Sequence, residues 1–80
     1  MKLDILAFGV AKEIMGGARV VVDVADETAA DELKSRLEQQ FPRLRELKSF
    51  MIAVNGEYAK AGQLINSRDE VAIIPPVSGG

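Results

Sequence analysis

Neither cysteine nor histidine occurs among the 80 residues of this chain. Without a thiol there is no disulfide framework and no cysteine nucleophile. Without an imidazole the chain lacks the usual general base and the commonest metal ligand. Ser35, Ser49, Ser67 and Ser78 therefore have no histidine to activate them, which excludes a Ser/His/Asp triad. The expectation is that this chain binds no metal and no cofactor of its own. An excess of charge of one sign is also missing. Ten basic residues face twelve acidic ones for a net charge of −2, which argues against a basic face and a nucleic-acid partner. No stretch approaches the roughly 20 apolar residues of a membrane span, and the first residues do not read as a signal peptide. The expected compartment is the cytoplasm, with no membrane partner. A chain this short builds one modest core and has little room for an enclosed pocket.

What the chain does have is apolar surface. Apolar residues make up 48% of the sequence before its seven glycines are counted. That surplus suits either a well-filled core or a partner surface left open on the outside. Lys2 to Phe8 is apolar and nearly continuous, which predicts a strand buried on both faces. Gly9 to Met15 reads as a helical turn closed by Gly16-Gly17. Arg19 to Val24 alternates, with Val20, Val22 and Val24 on one face of a second strand antiparallel to the first. Thr28 fits a helix N-cap with Asp31 three residues on. The helix it opens carries Ala30, Leu33, Leu37 and Phe41 on one stripe, and Pro42 ends it. Arg43 to Phe50 reads as a charged connection. Met51 to Val54 and Glu57 to Lys60 flank Asn55-Gly56, a strong signal for a type I′ hairpin turn. After a loop over 62–69, Glu70 to Ile74 forms a last strand, apolar on both faces.

The order ββαβββ predicts an α+β fold: a five-stranded mixed sheet with one main helix across one face. The apolar first and last strands belong side by side in its centre, which is the β-grasp arrangement of ubiquitin. The face away from the helix then needs a cover that a partner can supply. The domain is expected over 1–75, with a flexible carrier tail over 76–80. Pro75-Pro76 favour an extended exit from the last strand. From Pro75 to Gly80 the tail reaches roughly 20 Å at about 3.3 Å per residue. Gly79 and Gly80 lack side chains, so this end can thread a narrow channel. Its bland alternative is a frayed terminus. A terminal carboxylate is ionised and unreactive at neutral pH, so it needs activation. Gly16-Gly17 fits neither a GxxxxGK[ST] loop nor a GxGxxG fingerprint, so a second protein would have to activate it.

The ending Asp69-Glu70-Val71-Ala72-Ile73-Ile74-Pro75-Pro76-Val77-Ser78-Gly79-Gly80 resembles that of the small subunits of molybdopterin synthase, a family of ubiquitin-like sulfur carriers. Val54-Asn55-Gly56 and the segment from Phe8 to Gly16 support the resemblance, which covers nearly the whole chain. Where that family usually has arginine before the glutamate, Lys12 precedes Glu13. Lysine keeps the charge without the bidentate fork. The resemblance implies that the chain is not catalytic alone but donates sulfur within the synthase complex. A ubiquitin-activating-type adenylyltransferase would use ATP to adenylate Gly80, and a persulfide donor would convert it to a thiocarboxylate. The tail of Val77, Ser78, Gly79 and Gly80 would then enter the large synthase subunit and give its sulfur to a pterin precursor. Phe8, Pro75, Pro76 and Val77 are the expected partner-binding residues, in a heterotetramer of two small and two large subunits.

Three other readings stay open on the sequence. A sulfur carrier for thiamine thiazole synthesis also ends in Gly-Gly. A ubiquitin-like modifier would use the same activation and form an amide with lysine. A plain interaction domain would leave the tail idle. Arg43, Arg45 and Lys48 beside Glu46 read as a solvated surface. Met15 and Met51 read as packing residues, with an adaptable interface as the alternative for either. Asp26, Glu27, Asp31 and Glu32 suit the start of a helix, where the macrodipole favours negative charge.

Overall fold

A computed structural model of the chain describes residues 1–47 and 49–75. Strands β1 (Lys2–Ala7), β2 (Arg19–Asp23), β3 (Met51–Val54), β4 (Glu57–Tyr58) and β5 (Val71–Ile74) form one sheet in the order β2-β1-β5-β3-β4. β1 and β5 are neighbours and parallel, with Ile5 opposite Val71 and Ala7 opposite Ile73. The other pairings are antiparallel. Helices α1 (Gly9–Met15) and α2 (Ala30–Gln40) complete the fold, with a 3₁₀ turn over Pro42–Glu46. The expected β-grasp topology, with the first and last strands central, is therefore the observed one.

The core lies between the sheet and α2. Leu3, Ile5, Val22, Val71 and Ile73 come from one face of the sheet, Leu33 and Leu37 from α2, and all are essentially without solvent exposure. Ala30, Leu33 and Leu37 recur at helical spacing and form the buried stripe of α2. β1 is not buried on both faces as its composition predicts. Leu3, Ile5 and Ala7 are buried, while Lys2 and Asp4 are exposed and Leu6 is half-buried. The strand follows ordinary period-two alternation, and the apolar residues on its second side face away from the helix.

Several local features also differ from expectation. Gly9 to Met15 forms a full two-turn helix, because Ala11 and Met15 both reach the core one turn apart. Gly16 closes it in the left-handed conformation (φ 85°), where its N–H and that of Gly17 both donate to the Lys12 carbonyl at 3.0 Å. The N-cap of α2 is Ala29 rather than Thr28. Its N–H donates to Glu32 Oε1 at 3.1 Å, the only half of a capping box open to alanine, which has no side-chain oxygen. Two further helix-start donors are met by backbone carbonyls from elsewhere in the chain. Ala30 N–H donates to Gln63 O at 2.9 Å and Asp31 N–H to Ala61 O at 3.0 Å. A loop from elsewhere in the sequence thus does the work of a capping side chain.

Pro42 ends α2 as expected but continues into the 3₁₀ turn, which sinks Leu44 into the core. Phe50 is likewise buried, with Lys34 Nζ 4.9 Å above its ring. The stretch read as a charged connection is pinned at both ends by apolar side chains. The return strand of the hairpin is shorter than predicted, covering Glu57–Tyr58 alone. The turn itself is as predicted, with positive φ at Asn55 (52°) and Gly56 (84°). Asn55 also ties the hairpin to the loop before β5. Its Oδ1 accepts from Glu70 N–H at 2.9 Å, its Nδ2 donates to Asp69 Oδ1 at 3.0 Å, and its N–H donates to Glu70 O at 2.7 Å.

Candidate functional site

The face of the sheet opposite α2 carries the side chains that alternate away from the core. Cross-strand pairing aligns Leu6 with Ala72, Ala72 with Ala53 and Ala53 with Tyr58, so these four form one row across four strands. Met51 pairs with Ile74 in the next row. Leu6, Phe8, Ala53, Tyr58, Ala72 and Ile74 line an open groove of about 360 Å³, with Gly56 and Glu70 at its margin. Two alanines side by side form its floor, and larger side chains stand around them.

Exposure on this face is high for an apolar surface. Phe8 is 49% exposed, Met51 45% and Tyr58 64%. Phe8 and Tyr58 flank the groove and Met51 stands beside it in the next row, and neither described helix covers this face, which makes it a candidate protein-binding surface. Met51, read from the sequence as a packing or interface residue, belongs to this face, whereas Met15 is buried in the core.

The position of the groove follows from the parallel pairing of β1 and β5. Both strands run to the same end of the sheet, so Phe8, just after β1, stands near Ile74 and the start of the tail. Pro75 is half-buried there, its Cγ 3.6 Å from where a side chain on Gly9 would begin. Of the residues expected to bind a partner, Phe8 and Pro75 thus lie together where β5 ends. Pro76 and Val77, and the tail residues Ser78, Gly79 and Gly80, lie outside the described residues. Lys12 is exposed on α1.

The sequence reading named Phe8 but missed Leu6, Ala53, Tyr58, Ala72 and Ile74. The signal was present in the register: once Asn55-Gly56 fixes the hairpin, Tyr58 must oppose Ala53, and both must face away from Ile52 and Val54.

The ThiS family model matches residues 5–80, nearly the whole chain and all of the ending. The chain belongs to the ThiS family. Among relatives of this ThiS-family chain, the molybdopterin synthase sulfur carrier subunit of Dictyostelium discoideum is 41% identical, the match covering 99% of this chain and 96% of that one. Relatives of the same name from Mycobacterium tuberculosis and Homo sapiens are 35% and 32% identical, over at least 99% of this chain. Among solved structures, SAMP1 from Haloferax volcanii superposes with a TM-score of 0.81 at 28% identity, covering all of both chains. A complex of subunits 1 and 2 of the molybdopterin-converting factor from Helicobacter pylori contains the same fold, at a TM-score of 0.66 and 20% identity over all of both chains.

Proposed function

We propose that this chain is the sulfur carrier subunit of molybdopterin synthase, bearing sulfur as a thiocarboxylate on Gly80. The observation that carries this reading is the end-to-end likeness to sulfur carrier subunits of that enzyme, at up to 41% identity. The geometry suits the task. An apolar groove for docking lies at the end of the sheet where β5 hands over to the tail, so docking and delivery share one side of the molecule.

In this reading an adenylyltransferase of the ubiquitin-activating type transfers AMP from ATP to the Gly80 carboxylate and releases pyrophosphate. The outer sulfur of a persulfide donor attacks the adenylate and expels AMP, and a second thiol then cleaves the resulting acyl disulfide, which frees the thiocarboxylate and leaves a disulfide on the donor. The tail of Val77, Ser78, Gly79 and Gly80 then enters the large synthase subunit, where the anionic sulfur attacks the pterin precursor. Phe8, Pro75, Pro76 and Val77 make the contact with the large subunit, together with the rest of the open face. The assembly contains two copies of each subunit and works in the cytoplasm. The chain supplies position and a reactive end, while the acids and bases of the reaction belong to the partner.

Incubation of the chain with ATP, the activating enzyme and a sulfur donor tests the first half. Mass spectrometry should find sulfur in place of one oxygen at the terminus. Addition of the large subunit and precursor should then return the terminus to a carboxylate as the pterin gains sulfur. An unmodified terminus would refute the carrier reading. Sulfur lost to thiazole synthesis, and not to the pterin, would assign the chain to the thiamine pathway instead. The likeness to SAMP1, a protein named as a small archaeal modifier, favours one second reading, conjugation to lysine. Amide-linked adducts of the chain in cells would identify it.

A further inference from the structure

The chain has two asparagines, Asn55 and Asn66, and only Asn55 precedes a glycine. An Asn-Gly step is chemically labile because nothing on the glycine hinders its nitrogen from approaching the asparagine side chain. Asn55 is exposed at the tip of the hairpin, so water reaches it. Its side-chain amide is nevertheless held at both ends, Oδ1 by Glu70 N–H at 2.9 Å and Nδ2 by Asp69 Oδ1 at 3.0 Å. Asp69 is itself fixed, since its Oδ2 accepts from Asn66 N–H at 2.9 Å.

We propose that Asn55 is a site of spontaneous deamidation, gated by the Asp69–Glu70 clamp. The Gly56 nitrogen attacks Asn55 Cγ and loses its proton. The Cγ–Nδ2 bond breaks and ammonia leaves with that proton, closing a succinimide ring. Water then opens the ring at either carbonyl and leaves aspartate or isoaspartate at position 55, with no oxidant or reductant involved. The attack requires the side-chain amide to turn toward Gly56, and that rotation breaks both clamp bonds. Folding therefore slows the reaction. The product also undoes the clamp: the new carboxylate sets a negative charge beside Asp69 where a donor stood. An isoaspartate would also lengthen the backbone by one carbon in a turn that needs positive φ at two successive residues.

The test is to age the purified full chain in mildly alkaline buffer and follow residue 55 by peptide mapping with isoaspartate detection. The comparison includes the native chain, the chain unfolded in urea, Asp69→Ala and Asp69→Asn. Native chain should react much more slowly than unfolded chain. Asp69→Ala should speed the native reaction about tenfold, the worth of one to two hydrogen bonds of ordinary net strength. Asp69→Asn keeps one of the two acceptor oxygens and should react at a rate between those of the native chain and Asp69→Ala. Equal rates in the native and unfolded chains, or no product at residue 55 in any sample, would overturn the proposal. So would an Asp69→Ala variant that melts cooperatively and ages like the native chain. If Asp69→Ala does not fold, the native and urea samples decide the question alone.

Discussion

Truncation of Phe8 to alanine separates docking from folding in a single side chain. Phe8 is 49% exposed, so the fold hides only about half of it. It lies beyond β1 and outside the core between the sheet and α2. Its loss should therefore cost about 1 kcal/mol of folding stability or less, against about 3–5 kcal/mol for a fully buried phenylalanine. The remaining half of the ring is what a partner would cover. A phenylalanine buries roughly 150–250 Å², so about 100 Å² is left for the interface. At about 25 cal/mol per Å² this is worth about 2.5 kcal/mol, or roughly 70-fold in Kd. Calorimetric titration against the large synthase subunit measures that loss, and urea denaturation of the free variant measures the other. A Kd within about threefold of the native value (under about 0.7 kcal/mol) would refute the docking role of the open face. A stability loss above about 2 kcal/mol would refute the claim that Phe8 stands outside the core.

The remaining predictions follow from burial and reach. Deleting Gly80 should change folding stability by no more than about 0.5 kcal/mol. It shortens the tail by about 3.3 Å, and since a misplacement of about 1 Å can cost around 100-fold in rate, mass spectrometry should find no thiocarboxylate and pterin synthesis should stop. Leu44→Ala should cost about 2–5 kcal/mol in urea denaturation, because Leu44 has no solvent exposure. Arg43→Ala, next to it, removes only an exposed 3.7 Å pair with Glu46 and should stay within about 0.5 kcal/mol of the native chain.

Much of this fold is legible where the cause is local. Asn55-Gly56 announces its turn because few residues accept positive φ, and Pro42 ends α2 because of a clash with the residue before it. The parallel pairing of β1 and β5 follows from placing the two most apolar strands in the middle. The parts that escape a linear reading depend on distant segments. Thr28 has the right chemistry for an N-cap, yet carbonyls from 61 and 63 occupy the helix donors and move the cap to Ala29. Leu44 and Phe50 sit in a charged stretch, and nothing near them in sequence marks them as core. β1 misleads because Leu6 is apolar on a face that no described helix covers, which mimics burial on both sides. On the proposed function, that is the trace a docking surface leaves in the sequence. The residues expected to carry the chemistry, Ser78, Gly79 and Gly80, are legible by resemblance and lie outside the described residues.

The central position of β5 also bears on how the fold comes together. Without Val71–Ile74 the described sheet divides into two pairs, β1 with β2 and β3 with β4, that share no ladder with each other. Isolated two-stranded hairpins are marginal in water, and the pairing that unites them spans most of the sequence. Closing the sheet therefore means bringing residues near Ile5 and near Val71 together, a long-range step that makes the two halves of the sheet form as one unit. Because β5 is the keystone between the two pairs, the strand that leads into Pro75 also holds the sheet together.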